Sequence, residues 1–132
     1  MTLVDTNVLI DIISKDANWY GWSSDMMSLR SKQGELIVND IVYAELSARF
    51  ESEPLLEDAL HDIDLVFERL PKRSLYFAGR AFAAYRAAGG PRMSILSNFF
   101  IGAHADLAGL AILTRDVRRY RTYFPDVTLI AP

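Results

Sequence analysis

The chain reads as a single α/β domain with a short parallel sheet flanked by helices on both faces, and three observations predict it. Short, almost wholly apolar segments recur at Leu3 to Asp5, Leu36 to Val38, Leu110 to Thr114 and Thr128 to Ile130. Helical patterns separate them, and buried strands alternating with helices imply a parallel sheet covered on both sides. At 132 residues, with 51 % hydrophobic and 23 % charged composition, the chain has room for one core of globular type.

The first segment, Thr2-Leu3-Val4-Asp5-Thr6-Asn7-Val8-Leu9-Ile10-Asp11, is an apolar run that delivers a carboxylate and then turns into helical spacing. After the second segment, Asp40 to Phe50 carries apolar residues at helical intervals, and so do Pro54 to Leu70, Arg73 to Ala88 and Asn98 to Gly109. The middle of the chain is therefore expected to be all-helical. Pro54 and Pro71 fall at helix starts or gaps, and Gly89-Gly90-Pro91 closes the long helix before a loop from Gly89 to Ser97, the one stretch that reads as mobile. A last helix is expected over Val117 to Tyr123.

Composition excludes several classes. There is no cysteine, so disulfides, thiolate zinc sites and cysteine nucleophiles are all ruled out. The net charge of -3 means that any contact with nucleic acid must be local rather than global. No apolar run approaches membrane-spanning length, and the amino terminus lacks the basic, apolar and small-residue pattern of a secretion signal. A cytoplasmic protein is expected.

Four positions far apart in sequence point to one pocket. In an open parallel sheet the ligand crevice lies beyond the carboxyl ends of the strands, where the strand order reverses. Asp5 ends one strand and Asp116 follows another, so both carboxylates are expected at one rim. Glu45 lies about one and a half turns into the helix after the second strand and reaches the same rim. Asn98 is expected to open its helix, where free N–H groups favour negative charge. Each residue also has a plainer role: Asp5, Asn98 and Asp116 suit helix caps, and Glu45 suits a solvated face. Together they suit a hard divalent cation such as Mg2+, which takes oxygen ligands and is anchored by one or two carboxylates with water and substrate phosphate. The chemistry such a site implies is hydrolysis of a phosphodiester.

The segments Val4-Asp5-Thr6-Asn7-Val8-Leu9-Ile10-Asp11, Tyr43-Ala44-Glu45-Leu46, Phe99-Phe100-Ile101-Gly102-Ala103-His104-Ala105 and Leu113-Thr114-Arg115-Asp116 carry a family resemblance, extended by Tyr120, Tyr123-Phe124-Pro125 and Leu129-Ile130-Ala131-Pro132. In order and spacing the chain resembles the PIN-domain ribonucleases, and within them the VapC-type toxins of toxin-antitoxin pairs, over residues 1–132. The resemblance implies a PIN-like fold and a Mg2+- or Mn2+-dependent endoribonuclease. It further implies an antitoxin partner that covers the acidic pocket, often with an arginine, and a homodimer. The four acidic positions of that family map onto Asp5, Glu45, Asn98 and Asp116. Asn98 departs from the pattern: an amide oxygen can coordinate a cation but carries no charge and cannot accept a proton as a carboxylate does. Either the natural protein is a weak or inactive nuclease, or an aspartate has been replaced to make a toxic enzyme expressible. Reduced or abolished hydrolysis with an intact fold is expected in both cases.

Around the pocket, Arg115, Arg118 and Arg119, with Arg121, are candidates for holding RNA phosphates, and Tyr120 and Tyr123 for stacking on bases. The alternative for the arginines is a basic last turn complementing the helix dipole. Thr6 and Thr114 are placed to donate hydroxyls near the cation or to cap. His104 is read as packing or a structural hydrogen bond, His61 as surface, and Asp11, Asp40 and Asp106 as capping or exposed carboxylates. Trp19, Tyr20, Trp22, Met26, Met27 and Leu29 read first as core filling and second as a groove for a partner helix. The reading from another class is a catalytically impaired module that binds RNA or antitoxin. Aspartyl-phosphate chemistry is disfavoured because position 7 is Asn, and a receiver domain because adjacent acidic residues are missing after the first strand.

Overall fold

The computed structural model describes residues 1–90 and 95–132, and places five parallel strands in one sheet of order β3-β2-β1-β4-β5. The strands are β1 (Thr2–Val4), β2 (Leu36–Val38), β3 (Leu65–Phe67), β4 (Ala111–Leu113) and β5 (Leu129–Ile130). Among the described residues seven helices connect and cover them: α1 (Thr6–Ile13), α2 (Tyr20–Ser31), α3 (Asp40–Ser47), α4 (Glu53–Asp62), α5 (Lys72–Ala87), α6 (Leu96–Ala108) and α7 (Val117–Tyr123). Strands β1 and β2 are buried at every position, as continuous apolar runs in a doubly covered sheet should be.

The strand order reverses beside β1, which pairs with β2 on one side and β4 on the other. The crevice beyond the carboxyl ends of β1 and β4 is thus the topological switch point, and the residues that follow these strands, Asp5 and Thr114 to Asp116, border it. The backbone N–H of Asp5 donates to the carbonyl of Leu113 at 2.9 Å, which locks the two strand ends together.

The expectation of an all-helical middle is corrected. The pattern from Pro54 to Leu70 ends as a helix at Asp62, and Leu65–Phe67 forms the edge strand β3 paired to β2. Two local features break the helix: Asp64 takes a positive φ of 58°, and the residues after it are the β-favouring Leu-Val-Phe. The helix expected over Asp40 to Phe50 stops at Ser47. A helix not foreseen, α2, begins after Trp19, while Pro91 to Ser94, in the middle of the loop read as mobile, lie outside the described residues.

The core is continuous across the sheet. Leu3, Val4, Ile37, Val38, Ile112 and Leu113 meet Val8, Leu9, Val42, Leu46 and Ile101 from the helices. Beside it, Phe99 of α6 gathers Phe82, Tyr85, Tyr123 and Phe124 at centroid separations of 5.2 to 6.2 Å, fastening α5 and α7 to α6. That packing sets where Asn98 and Tyr120 sit.

Candidate active site at the switch point

Asp5 is the hub. It follows β1 at the N-cap of α1, so its cap role and its place at the strand tip coincide, and only 4 % of it is exposed. Its Oδ1 accepts the Thr6 backbone N–H at 2.8 Å, and its Oδ2 accepts the Thr114 hydroxyl at 2.8 Å, the Tyr120 hydroxyl at 2.9 Å and the Asn7 side-chain amide at 3.3 Å. Burial raises its pKa above the usual carboxylate value, the hydrogen bonds from Thr114, Tyr120 and Thr6 pull it back down, and the charge of Glu45 adds to the rise.

Glu45 reaches the same rim from α3. Its Oε1 accepts the Thr6 hydroxyl at 2.7 Å and its Oε2 accepts the Ser97 hydroxyl at 3.2 Å. Thr6 therefore bridges the two carboxylates, its N–H on Asp5 and its hydroxyl on Glu45. Thr114, fully buried, links the Asp5 carboxylate to the Asp116 backbone on the other side: its hydroxyl donates to Asp5 and accepts the Asp116 N–H at 2.9 Å. Asp116 stands at the N-cap position of α7, yet its side chain makes no cap bond and instead faces Arg119 at 3.3 Å.

Asn98 is the third residue of α6, not its first, so it does not cap the helix. Its Nδ2 donates to the Tyr120 hydroxyl at 3.2 Å, while its Oδ1 lies 3.5 Å from Nη1 of Arg119. The acceptor toward the cation of Arg119 and the donor toward the phenol agree on one orientation of the amide. All four sequence-predicted positions thus lie around one end of the sheet, joined through Thr6, Thr114 and Tyr120.

Several residues take roles that the sequence did not suggest. Tyr120, expected as a stacking surface, is fully buried with its hydroxyl on Asp5; burial and the Asp5 charge drive its pKa well above the ordinary phenol value, so it remains a donor. The available signal was its spacing, four residues after Asp116 on one helix face. Asn7 ties the first and last acidic segments together, since its Oδ1 accepts the Arg115 N–H at 3.2 Å while its Nδ2 approaches Asp5 and Thr114. Asp11, read as a capping or exposed carboxylate, is instead 2 % exposed and held by Arg115 and by the Ser23 hydroxyl.

Arg115 is consequently engaged inside the molecule, bound to Asp11 with its guanidinium 5.0 Å from the Trp19 ring centroid. Arg118 and Arg119 are exposed, and so is Arg121. Trp19 and Trp22 are half-buried and meet edge to face at 6.1 Å, Met27 fills the core, but Tyr20 and Leu29 are exposed, against the core-filling expectation. His104 is buried and shares a 3.1 Å bond with the side chain of Asn39, as a structural hydrogen bond requires. Asp40 accepts the N–H of Leu70 and pairs with Arg69 at 3.2 Å, tying α3 to the loop after β3.

The donor set consists of oxygens: the carboxylates of Asp5, Glu45 and Asp116, the amide oxygen of Asn98 and the hydroxyls of Thr6 and Thr114. Among the described residues no three His, Cys, Asp or Glu side chains stand close enough to hold a metal ion by themselves. The residues therefore fit a hard cation anchored by one or two carboxylates and completed by water, rather than a cage of three protein carboxylates.

Among solved structures, the fold is similar to VapBC2 from Rickettsia felis bound to a DNA fragment from its promoter, with a TM-score of 0.74 and 16 % identity over 98 % of this chain and 97 % of that one. DNA-bound VapBC from Salmonella typhimurium follows at TM-score 0.71 and 18 % identity, covering 98 % and 96 %. FitAcB from Neisseria gonorrhoeae has TM-score 0.65 and 18 % identity, covering 100 % and 98 %. No curated protein sequence matches the chain. The family model for the PIN domain matches residues 2–125, nearly the whole length, and with the sheet order and the acidic rim now in view, the chain belongs to the PIN domain family.

Proposed function

We propose that this chain is a Mg2+- or Mn2+-dependent endoribonuclease of VapC type, the toxin of a toxin-antitoxin pair, whose activity is reduced by Asn98. The observation that carries the reading is the hydrogen-bonded rim in which Asp5, Glu45, Asn98 and Asp116 converge on the switch point of the sheet. Asp5 and Asp116 would hold the cation, with Asn98 as an uncharged fourth ligand. Such a cation lowers the pKa of bound water and neutralises charge developing on phosphoryl oxygens. Glu45, the exposed carboxylate of the set, orients the attacking water or binds through it. Thr6 and Thr114 fix the directions of the carboxylates, and Arg118 and Arg119 draw the RNA backbone to the rim.

The antitoxin partner is supported by the likeness to VapBC and FitAB assemblies; pairing with a second copy of itself and a cytoplasmic location remain what the family resemblance implies. Among the described residues no helix is long and apolar enough to cross a membrane. A small gene beside this one, encoding a DNA-binding protein with a disordered tail, is the expected genomic context.

A second reading has its own observation. Asn98 removes one charge, and no three acidic or histidine side chains cluster among the described residues, which suits a PIN-fold module that binds RNA or antitoxin without cutting. The two readings part on one comparison, Mg2+-dependent RNA cleavage by the chain as it stands and by Asn98→Asp. Cleavage that appears or rises strongly in Asn98→Asp supports the nuclease; equal activity in the two forms removes Asn98 from the metal site, and none in either favours the binding module.

A further inference from the structure

An ionised carboxylate offers about two lone-pair sites on each oxygen, and the donors to Asp5 are spread unevenly: Thr6 N–H alone on Oδ1, but Thr114, Tyr120 and Asn7 together on Oδ2. A cation can bind Oδ2 only by displacing one of the three donors there. The Thr114 hydroxyl accepts the Asp116 N–H and the Asn7 amide, so its own hydrogen has no direction left but Asp5. The Asn7 contact, at 3.3 Å, is long and holds the least. Tyr120 is different. Its single hydrogen lies on Asp5 because Asn98 presents an N–H to the phenol oxygen, and if the amide turned over, the same hydrogen would find the Asn98 carbonyl.

Resting on the cation-site reading above, we propose that the Tyr120 hydroxyl is an internal competitor for the cation at Oδ2 of Asp5, held in place by the Asn98 amide. The chain Asn98 Nδ2–H to Tyr120 Oη–H to Asp5 Oδ2, at 3.2 and 2.9 Å, is polarised in one direction, so each bond strengthens the next. An aspartate at position 98 would offer no hydrogen to the phenol and would contest its proton with Asp5. Asn98 thus does more than subtract a charge: it fixes the hydroxyl that occupies Oδ2 of Asp5.

The test is Mn2+ affinity, read from the spin resonance of free Mn2+, for the full chain, Tyr120→Phe and Asn98→Asp. Tyr120→Phe keeps the ring that packs in the core and removes the competing hydrogen bond to Asp5 together with the bond from Asn98 that holds it. Its Mn2+ affinity should rise about tenfold, the worth of one hydrogen bond to a charged group. A folded Tyr120→Phe that binds Mn2+ no tighter than the parent, while Asn98→Asp does bind it, overturns the competition and leaves the cation site standing. No binding in any of the three overturns both. A measurement on the parent chain stands apart from the folding of the variant: with tyrosine labelled at Cζ, saturating Mg2+ should move the Tyr120 resonance upfield as the phenol gives up the carboxylate. An unmoved resonance with Mg2+ bound refutes the proposal.

Discussion

The guanidinium of Arg115 grips the carboxylate of Asp11 through two bonds, Nε to Oδ2 at 2.7 Å and Nη2 to Oδ1 at 2.9 Å, across 104 residues of chain. Asp11 is buried on α1 and Arg115 lies between Thr114 and Asp116, so the pair clamps the segment after β4 onto the helix that Asp5 begins. Ser23 supplies Asp11 with a further hydroxyl, and the Trp19 ring covers the guanidinium. A charge pair of this kind contributes alignment more than net stability, because burying it costs nearly what the attraction returns.

Removing one partner is another matter. Arg115→Ala leaves a carboxylate that is 2 % exposed without its cation, and should cost about 3 kcal/mol of unfolding free energy. Urea denaturation of the variant measures it. A loss within about 0.5 kcal/mol, the size of an ordinary surface substitution, would show that water reaches Asp11 freely and that the clamp is ornamental.

His104 carries a pH dependence of defined sign. The side-chain oxygen of Asn39 accepts the N–H groups of Ile41 and Val42, so its Nδ2 must donate to Nδ1 of His104, which needs the neutral ring. Burial pushes the His104 pKa below its ordinary value, with Glu68 and Asp40 opposing weakly. The unfolded chain therefore binds more protons than the folded one below about pH 6.5, and stability falls as the pH drops through that region. His104→Gln keeps an acceptor for Asn39 and loses the titration. Its urea midpoint should change less between about pH 7 and 5 than that of the parent, and parallel curves would contradict the assignment. Asp5 has the opposite sign: its pKa is raised, so the folded chain takes up its proton first as the pH falls.

How much of this was legible depends on range. The apolar runs at Leu3 to Asp5 and Leu110 to Thr114 end in polar residues, and burial on both faces demands that pattern, so the strand tips and the placing of Asp5 and Asp116 at one end of the sheet follow from local sequence. Strand β3 is hidden because Leu65, Val66 and Phe67 continue the helical spacing that starts at Pro54, and the break rests on the backbone of Asp64, a residue type that tolerates positive φ but adopts it only in some contexts. Asp11 looked like any carboxylate near a helix end, since its partner lies 104 residues away. Tyr120, flanked by arginines, reads as a ring available for stacking on bases; α7 turns the arginines outward and the phenol inward.

Gly102 marks a close approach. A Cβ built on it would lie 2.3 and 2.4 Å from ring carbons of Phe124, so α6 packs its backbone directly onto that ring. Gly102→Ala gains up to about 1 kcal/mol of helix propensity, but overpacking of this kind costs about 1–3 kcal/mol. The variant should be less stable on thermal unfolding, and Phe124→Leu in the same chain should recover part of the loss, a coupling that two independent sites would not show. Because Phe124 also touches Phe99, next to Asn98, the strain should reach the rim.

The arginines just before and within α7 divide by their partners, and RNA binding should follow that division. Arg115 is spent on Asp11, whereas Arg118 is exposed and Arg119 leans over Asp116 at 3.3 Å and Asn98 at 3.5 Å, where an incoming phosphate would meet it. Each phosphate contact on a single strand contributes about -0.7 to the slope of log affinity against log salt concentration. Arg118→Ala with Arg119→Ala should therefore weaken binding of a single-stranded RNA and flatten that slope by about 1.4. Arg121→Ala, a change to another exposed arginine of the same helix, serves as the reference for a loss of positive charge alone. An equal flattening from Arg121→Ala would mean that RNA responds to the summed charge of the helix; a slope unchanged in the double variant would remove α7 from the RNA path altogether.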